Sequence, residues 1–173
     1  MEQKTNRTMR IAFTGPESCG KSTLAKWVSE KYNLPLSEEF AREFLAQKET
    51  YIQNDLDTIT LGQLADWQEK GPKFVADTEM TVLKIWSDYR FKNTSHVILD
   101  AHKKQVFDYF FLCAPDIPWE ADPLRENPLD REELFLMYEQ ELIRNQCPFT
   151  ILKGSLKERQ KEVDFILQDL LNC

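Results

Sequence analysis

Gly15-Pro16-Glu17-Ser18-Cys19-Gly20-Lys21-Ser22 is the stretch that decides the fold. It matches G-x-x-x-x-G-K-[ST] in full. Glycines at its ends let the chain turn tightly, so that successive backbone N–H groups point at phosphate oxygens. A helix directly behind the loop adds its positive N-terminal end. The residues expected to cradle the phosphates of ATP are therefore Gly15, Pro16, Glu17, Ser18, Cys19, Gly20, Lys21, Ser22 and Thr23. Lys21 is expected to reach the β- and γ-phosphates, and the Ser22 hydroxyl to ligate Mg²⁺. A chance match in a glycine-containing turn would lack the flanks seen here. Arg10-Ile11-Ala12-Phe13-Thr14 reads as a buried strand before the loop. After it, Leu24, Trp27, Val28 and Tyr32 fall on one face of a helix.

Outward from the loop, a weak strand is expected around Leu34-Pro35-Leu36, then helices over Glu38 to Gln47 and Asp55 to Glu69. Gly71-Pro72 breaks the chain before a second buried strand, Lys73 to Asp77, and a helix from Thr78 to Tyr89. Tyr109 to Cys113 is the most apolar strand candidate, followed by a proline-rich loop from Ala114 to Pro128. Asp130 with Glu133 has the capping-box pattern, opening a helix that buries Leu134, Phe135, Tyr138 and Leu142. Pro148 to Leu152 is a last strand. Ser155 with Glu158 caps a final helix striped by Val163, Ile166, Leu167, Leu170 and Leu171. Strands alternating with helices imply an α/β fold with a parallel sheet covered on both faces.

The 173 residues fit one domain over 1–173, with substrate-side helices at about 38–70 and a lid at about 115–131. Hydrophobic residues at 42% and charged residues at 29% exclude a disordered chain. No apolar run approaches the roughly 18 residues of a membrane span. Met1 to Arg10 has no signal-peptide core, so the cytoplasm is the expected compartment. A formal net charge of -7 gives no broad basic face for nucleic acid, so a small-molecule partner is expected. Cys19, Cys113, Cys147 and Cys173 stand singly, without zinc or redox spacing, and read as reduced thiols. With only His96 and His102, a histidine-rich metal site is not expected.

A P-loop protein needs an acid at the end of a neighbouring strand. Phe74-Val75-Ala76-Asp77 and Val97-Ile98-Leu99-Asp100 compete for that place. Asp100 precedes the Tyr109 strand by only about nine residues, too few for a parallel crossover. The Val97 stretch is therefore read as helix, with Val97, Ile98, Ala101 and Val106 inward. Asp77 is favoured, as a magnesium-side ligand or as the base that takes the acceptor's proton; merely capping the next helix is its bland alternative. Glu79 is either a helper to Asp77 or a solvated acid at that helix's start, and the second reading is preferred.

The Asp122 to Arg131 segment offers Arg125 and Arg131 as lid arginines for a transferred phosphoryl group, against a surface role beside acids. In Glu39-Phe40-Ala41-Arg42-Glu43, Arg42 would bind phosphate or ribose oxygens, or else pair with Glu38 or Glu39 on a helix surface. Of Trp27, Trp67, Trp86 and Trp119, the first fits the core, and Trp67 or Trp86 could stack on a flat base.

These segments converge on one family. Thr14 to Thr23, Glu39 to Phe44, Asp77-Thr78-Glu79, Lys84-Ile85-Trp86 and Asp116 to Arg125 resemble, in order, the ribosylnicotinamide kinase domain of the NadR type. The Gly-x-Glu-Ser-x-Gly-Lys-Ser form, with E-[YF]-x-R-E and P-W-x-x-D segments, is far more specific than a bare P-loop. The resemblance implies a five-stranded P-loop kinase fold and ATP-dependent phosphorylation of nicotinamide riboside. It also implies that Glu39 and Asp77 line the riboside pocket, and it favours Arg42 and Arg125 as site residues. Some members carry an adenylyltransferase domain or a DNA-binding segment ahead of the kinase. With about nine residues before the first strand, neither activity is expected here. Some also place tryptophan directly before E-[YF]-x-R-E; this chain has Glu38 there. Trp67 or Trp86 then supplies the stack, or the acceptor is another nucleoside or small metabolite. An ATP-binding regulatory module without an acceptor is the rival of a different class.

Overall fold

The computed structural model describes residues 8–172. Cys173 and the segment before Thr8, including most of the expected leader-free N-terminus, lie outside the described residues. The chain runs β1 (Met9–Thr14), α1 (Lys21–Tyr32), β2 (Leu36–Ser37), α2 (Phe40–Leu45), α3 (Gln53–Lys70), β3 (Lys73–Ala76) and α4 (Met80–Phe91). It continues through α5 (His96–Lys104), β4 (Tyr109–Cys113), α6 (Arg131–Arg144), β5 (Phe149–Leu152) and α7 (Leu156–Asn172).

The five strands form one sheet in the order β2-β3-β1-β4-β5, and every neighbouring pair is parallel. Parallel strands must be joined by crossovers, which lay helices on both faces. The strands are accordingly buried on both sides. Ile11 and Phe13 of β1 face the α1 and α7 layer with Val28, Val163 and Leu167, whereas Ala12 faces the opposite layer with Phe74 and Phe110. β1 is flanked by β3 on one side and β4 on the other, so the chain departs in two directions from its C-terminal end. A crevice opens at such a switch point, and the glycine-rich loop hangs over it.

Local chemistry sets several boundaries. α2 begins at Phe40 rather than Glu38, because Glu39 is extended at its N-cap. The buried Gln63 side chain accepts the Phe40 N–H at 3.0 Å, satisfying one of the helix's open donors. Ser155 and Glu158 form the expected reciprocal cap, with Ser155 N–H donating to the carboxylate at 2.7 Å. Asp130 makes no such cap on α6. Its carboxylate accepts the Tyr89 hydroxyl at 2.8 Å instead, tying α6 to α4. The Val97 stretch is helix, but only Ile98 and Ala101 of its expected inward set are buried. Val97 sits at the edge of that face, and Val106 lies beyond the helix and is 68% exposed. Among the described residues no helix is long and apolar enough to cross a membrane. Cys19, Cys113 and Cys147 are free thiols.

Candidate active site

Two glycines shape the loop after β1. Gly15 has φ +129°, and a Cβ there would stand 2.7 Å from the Cys113 carbonyl oxygen of β4. No side chain fits between the two strands' ends. Gly20 has φ +87°, the left-handed turn from which α1 starts with its N-terminal N–H groups uncapped by any side chain. Within this frame Lys21 Nζ donates to the carbonyls of Gly15 at 2.8 Å and Pro16 at 2.6 Å. Burial opposes the ammonium charge, but Cys19, Glu39 and Asp77 hold its pKa above the ordinary value. Behind the loop, the buried Arg159 guanidinium donates to Cys19 O at 2.7 Å and Ala114 O at 3.1 Å and pairs with Asp116. Arg159 thereby fixes the loop's floor from α7.

Asp77 follows the last residue of β3, beside β1. Its N–H donates to Ser37 O at 2.9 Å, which continues the sheet by one rung. The side chain is 7% exposed, and Oδ1 is buried with no hydrogen-bond partner. Burial pushes its pKa up to about 7, against the Ser22 hydroxyl and Lys21 ammonium that draw it down. An orphaned carboxylate oxygen next to a hydroxyl is a donor set suited to a hard, oxygen-ligated cation such as Mg²⁺. Ser22 and Asp77 thus fit the ion that the loop motif implies. Capping of α4 falls to Glu79, which accepts the Thr81 N–H at 2.7 Å. Glu79 is fully buried rather than solvated, and it also accepts the Thr14 hydroxyl at 2.6 Å and the Gln105 amide at 2.8 Å. It locks the end of β1 to the start of α4.

The cleft above these groups is lined by the whole loop from Gly15 to Thr23 on one side. On the other stand Glu39, Arg42, Ile85, Trp86, Tyr89 and Tyr138. Arg42 pairs with Glu39 at 3.3 Å, the helix-surface pair expected, and also with Asp122 at 2.9 Å, which was not. Trp86 presents one side to the cleft and its Nε1–H to the Tyr51 hydroxyl at 2.8 Å.

The segment between β4 and α6 closes the cleft's third side. Arg125 lines it and donates to Ser18 Oγ at 3.4 Å and to the Glu120 carbonyl. Ser18 Oγ also accepts the Glu120 N–H at 2.9 Å.

Two residues stand elsewhere than the sequence suggested. Arg131 does not line the cleft. Its guanidinium is spent on Ser18 O at 3.0 Å and Ile117 O at 3.1 Å, and it lies over the Trp119 ring, so it braces the loop from outside. Trp67 cannot stack on a bound ring there. It is 6% exposed and packed edge-on to Phe107 at 5.0 Å and against Phe74 at 6.2 Å, because α3 turns that face toward the sheet. Asp100 is far from the loop, paired with Lys104 at 3.6 Å on the surface of α5. Two contributors escaped the sequence reading, and a third was misjudged. Arg159 reaches Cys19 across 140 positions, and Tyr51 touches Trp86 across 35. Glu79 looked like any other acid in a helix's first turn. No local signal marks such contacts.

Comparison with known proteins places this geometry in a family. The AAA domain family matches residues 10–159. The trifunctional NAD biosynthesis/regulator protein NadR of Salmonella typhimurium is 28% identical over 155 residues, covering 83% of this chain and 38% of that protein. Its Escherichia coli counterpart is 29% identical over 151 residues, covering 80% and 37%. The chain therefore spans less than two fifths of the curated relatives it matches. A crystal structure of NadR protein in complex with NR superposes with a TM-score of 0.78 at 19% identity, over 93% of this chain and 51% of that one. Deoxyadenosine kinase from M. mycoides with bound dCTP superposes with a TM-score of 0.64 at 17% identity, over 93% and 100%. At these identities the superpositions show a shared fold. The glycine-framed loop on β1, the sheet order around it and the match over residues 10–159 together show that this chain belongs to the AAA domain family.

Proposed function

We propose that the chain is a P-loop kinase that transfers the γ-phosphoryl group of ATP to the 5′-hydroxyl of nicotinamide riboside. The observation that carries this reading is one cleft with two unlike walls. A phosphate cradle, Gly15 to Thr23, faces an aromatic wall built on Trp86 and Tyr89, with Asp77 buried behind Lys21 and Ser22. A switch module with slow hydrolysis has no use for the second wall. The NadR relatives, one of them solved with NR, support the riboside as acceptor.

In this reading the α1 N-terminus and the loop N–H groups bind the triphosphate, and Lys21 exchanges its two loop carbonyls for β- and γ-phosphate oxygens. Mg²⁺, held by Ser22 with Asp77 behind it, would neutralise charge on those oxygens. Asp77 orients the acceptor hydroxyl and takes its proton. Arg125 stabilises charge on the transferred group from the lid. Arg42 and Glu39 offer the ribose hydroxyls a donor and an acceptor, and Trp86 takes the place of the tryptophan that Glu38 lacks. Catalysis rests on positioning and electrostatics rather than on covalent chemistry.

The test is ADP release from ATP and Mg²⁺ with and without nicotinamide riboside, with product mass as the check. Riboside-dependent release with a matching mononucleotide is expected. Release that depends on a different nucleoside would keep the kinase and replace its acceptor. Release that no acceptor stimulates would overturn the kinase.

A further inference from the structure

We infer that Glu17 and Tyr51 are positioning residues, which tie the lid that carries Arg125 to the P-loop on one side and to the acceptor wall on the other. The inference rests on the kinase reading above.

It begins with a charge in an awkward place. The variable positions of a phosphate-binding loop need supply only backbone N–H groups. Glu17 puts a carboxylate there, beside the expected triphosphate, where like charge repels. Burial already raises its pKa, and only two backbone donors and Lys21 oppose that rise. The donors explain the carboxylate. They are the N–H groups of Glu126, at 3.0 and 3.2 Å, and of Asn127, at 2.9 Å. These are the two residues directly after Arg125. A charged acceptor taking two N–H donors is a strong and directional tie.

The same lid residue is held from the opposite side. The Glu126 carboxylate accepts the Tyr51 hydroxyl at 2.7 Å, and the Tyr51 oxygen accepts Trp86 Nε1–H at 2.8 Å. The Tyr51 ring is fixed edge-on to Trp86 at 5.2 Å and to Phe91 at 5.9 Å. A continuous path therefore runs from the acceptor wall through Tyr51 and Glu126 to the P-loop. Asp122, bonded to Arg42 at 2.9 Å, pins the lid ahead of Arg125. Arg125 is thus tied on both flanks, and its guanidinium is confined to the neighbourhood of Ser18. A ring seated against Trp86 acts on the bond that holds Glu126, so acceptor binding and Arg125 placement are one event.

The test uses the full chain with Glu17→Ala, Tyr51→Phe and the double variant, and Glu17→Gln as the conservative replacement. Steady-state kinetics and hydrogen exchange at the amides of residues 126 and 127 are read together. Each loss variant should lower kcat for acceptor phosphorylation by roughly tenfold while KM for ATP moves less than about twofold. The double should be about as slow as the worse single, because both cut one path. Glu17→Gln should fall between parent and alanine, since its amide oxygen can still accept a lid N–H. The two lid amides should exchange at least about tenfold faster in Glu17→Ala. Unchanged kcat in both singles, or losses that multiply in the double, would overturn the inference. If the parent phosphorylates no acceptor, the kinase reading falls and exchange alone decides the tie. Faster exchange in both singles then supports it, and parent-like exchange overturns it.

Discussion

The P-loop and the lid face each other across one cleft, and they are made by opposite means. The P-loop is eight consecutive residues whose geometry is imposed by two glycines and whose ligand-binding groups are mainly backbone. The lid has no regular structure between Cys113 and Arg131, and it keeps its shape through side chains that reach across the fold. Tyr51 and Glu126 are 75 positions apart, and Glu17 and the Glu126 N–H are 109 apart. Phosphate is the same in every nucleotide, so a rigid local device suffices to hold it. An acceptor differs from enzyme to enzyme, and in the proposed reading the wall that meets it is assembled from parts that can vary independently.

The comparison breaks most sharply at Lys21. If the P-loop supplies the electrostatics of transfer, Lys21→Ala should lower kcat by at least ~10²–10³-fold. A cooperative melt should survive, because the lysine's partners are loop carbonyls that water can satisfy. Retained turnover in a folded variant would remove the P-loop from the chemistry.

Asp77 sits where the two regions meet, and its titration gives a second readout. Its pKa rises from the ordinary 3.8 to about 7, chiefly through burial. A carboxyl raised in the folded state keeps its proton after the unfolded chain has lost it. That favours the folded state fully below about pH 4, and the advantage drains away as pH climbs to 7. Asp77→Asn does not titrate. The nucleotide-free variant should therefore gain on the parent between pH 4 and 7, by at most a few kcal/mol on the order implied by the shift. Phosphoryl transfer should fall by about 10²-fold. Thermal melts at pH 4.5 and 7.5 check the first outcome, and single-turnover transfer the second. A stability difference that does not grow with pH would mean that Asp77 is ionised in the folded chain throughout.

What could be read in the sequence follows the same division. The octapeptide, its flanking strand and helix, and the parallel alternation were legible because each depends on residues near one another in the chain. The place of Asp77, at the end of a strand beside β1, was found by counting the length of a crossover, which is a topological rule and needs no contacts. Arg159 and Tyr51 were not legible, and Glu79 was weighed but misjudged, since each acts through a partner on another element. Arg131 was misplaced for a related reason. Sequence shows that an arginine stands near a lid, but not that two carbonyls and the Trp119 ring have already claimed its guanidinium. A helical tryptophan is equally ambiguous, because the face it occupies is decided by which side of α3 or α4 meets the sheet.

That ambiguity supplies the mildest of the three perturbations. Trp67 and Trp86 are both helical and both edge-on to another aromatic ring, yet one is core and the other is wall. Trp67→Ala removes a ring packed on Phe74 and Phe107 and should cost about 3–5 kcal/mol of stability. Trp86→Ala opens onto a cleft that solvent can fill, so less of its loss becomes cavity. Its effect should fall on the proposed acceptor, raising the acceptor KM by roughly tenfold and lowering kcat through the lost Tyr51 bond, with KM for ATP nearly unchanged. Trp86→Phe separates the ring from its N–H. It keeps a stacking face but leaves the Tyr51 hydroxyl without its donor, so the acceptor KM should recover most of the way while kcat stays low. If phenylalanine restores both constants, the ring alone matters, and the acceptor wall works as independently of the lid as the P-loop works of its distant neighbours. If it restores KM but not kcat, the wall and the lid act as one body.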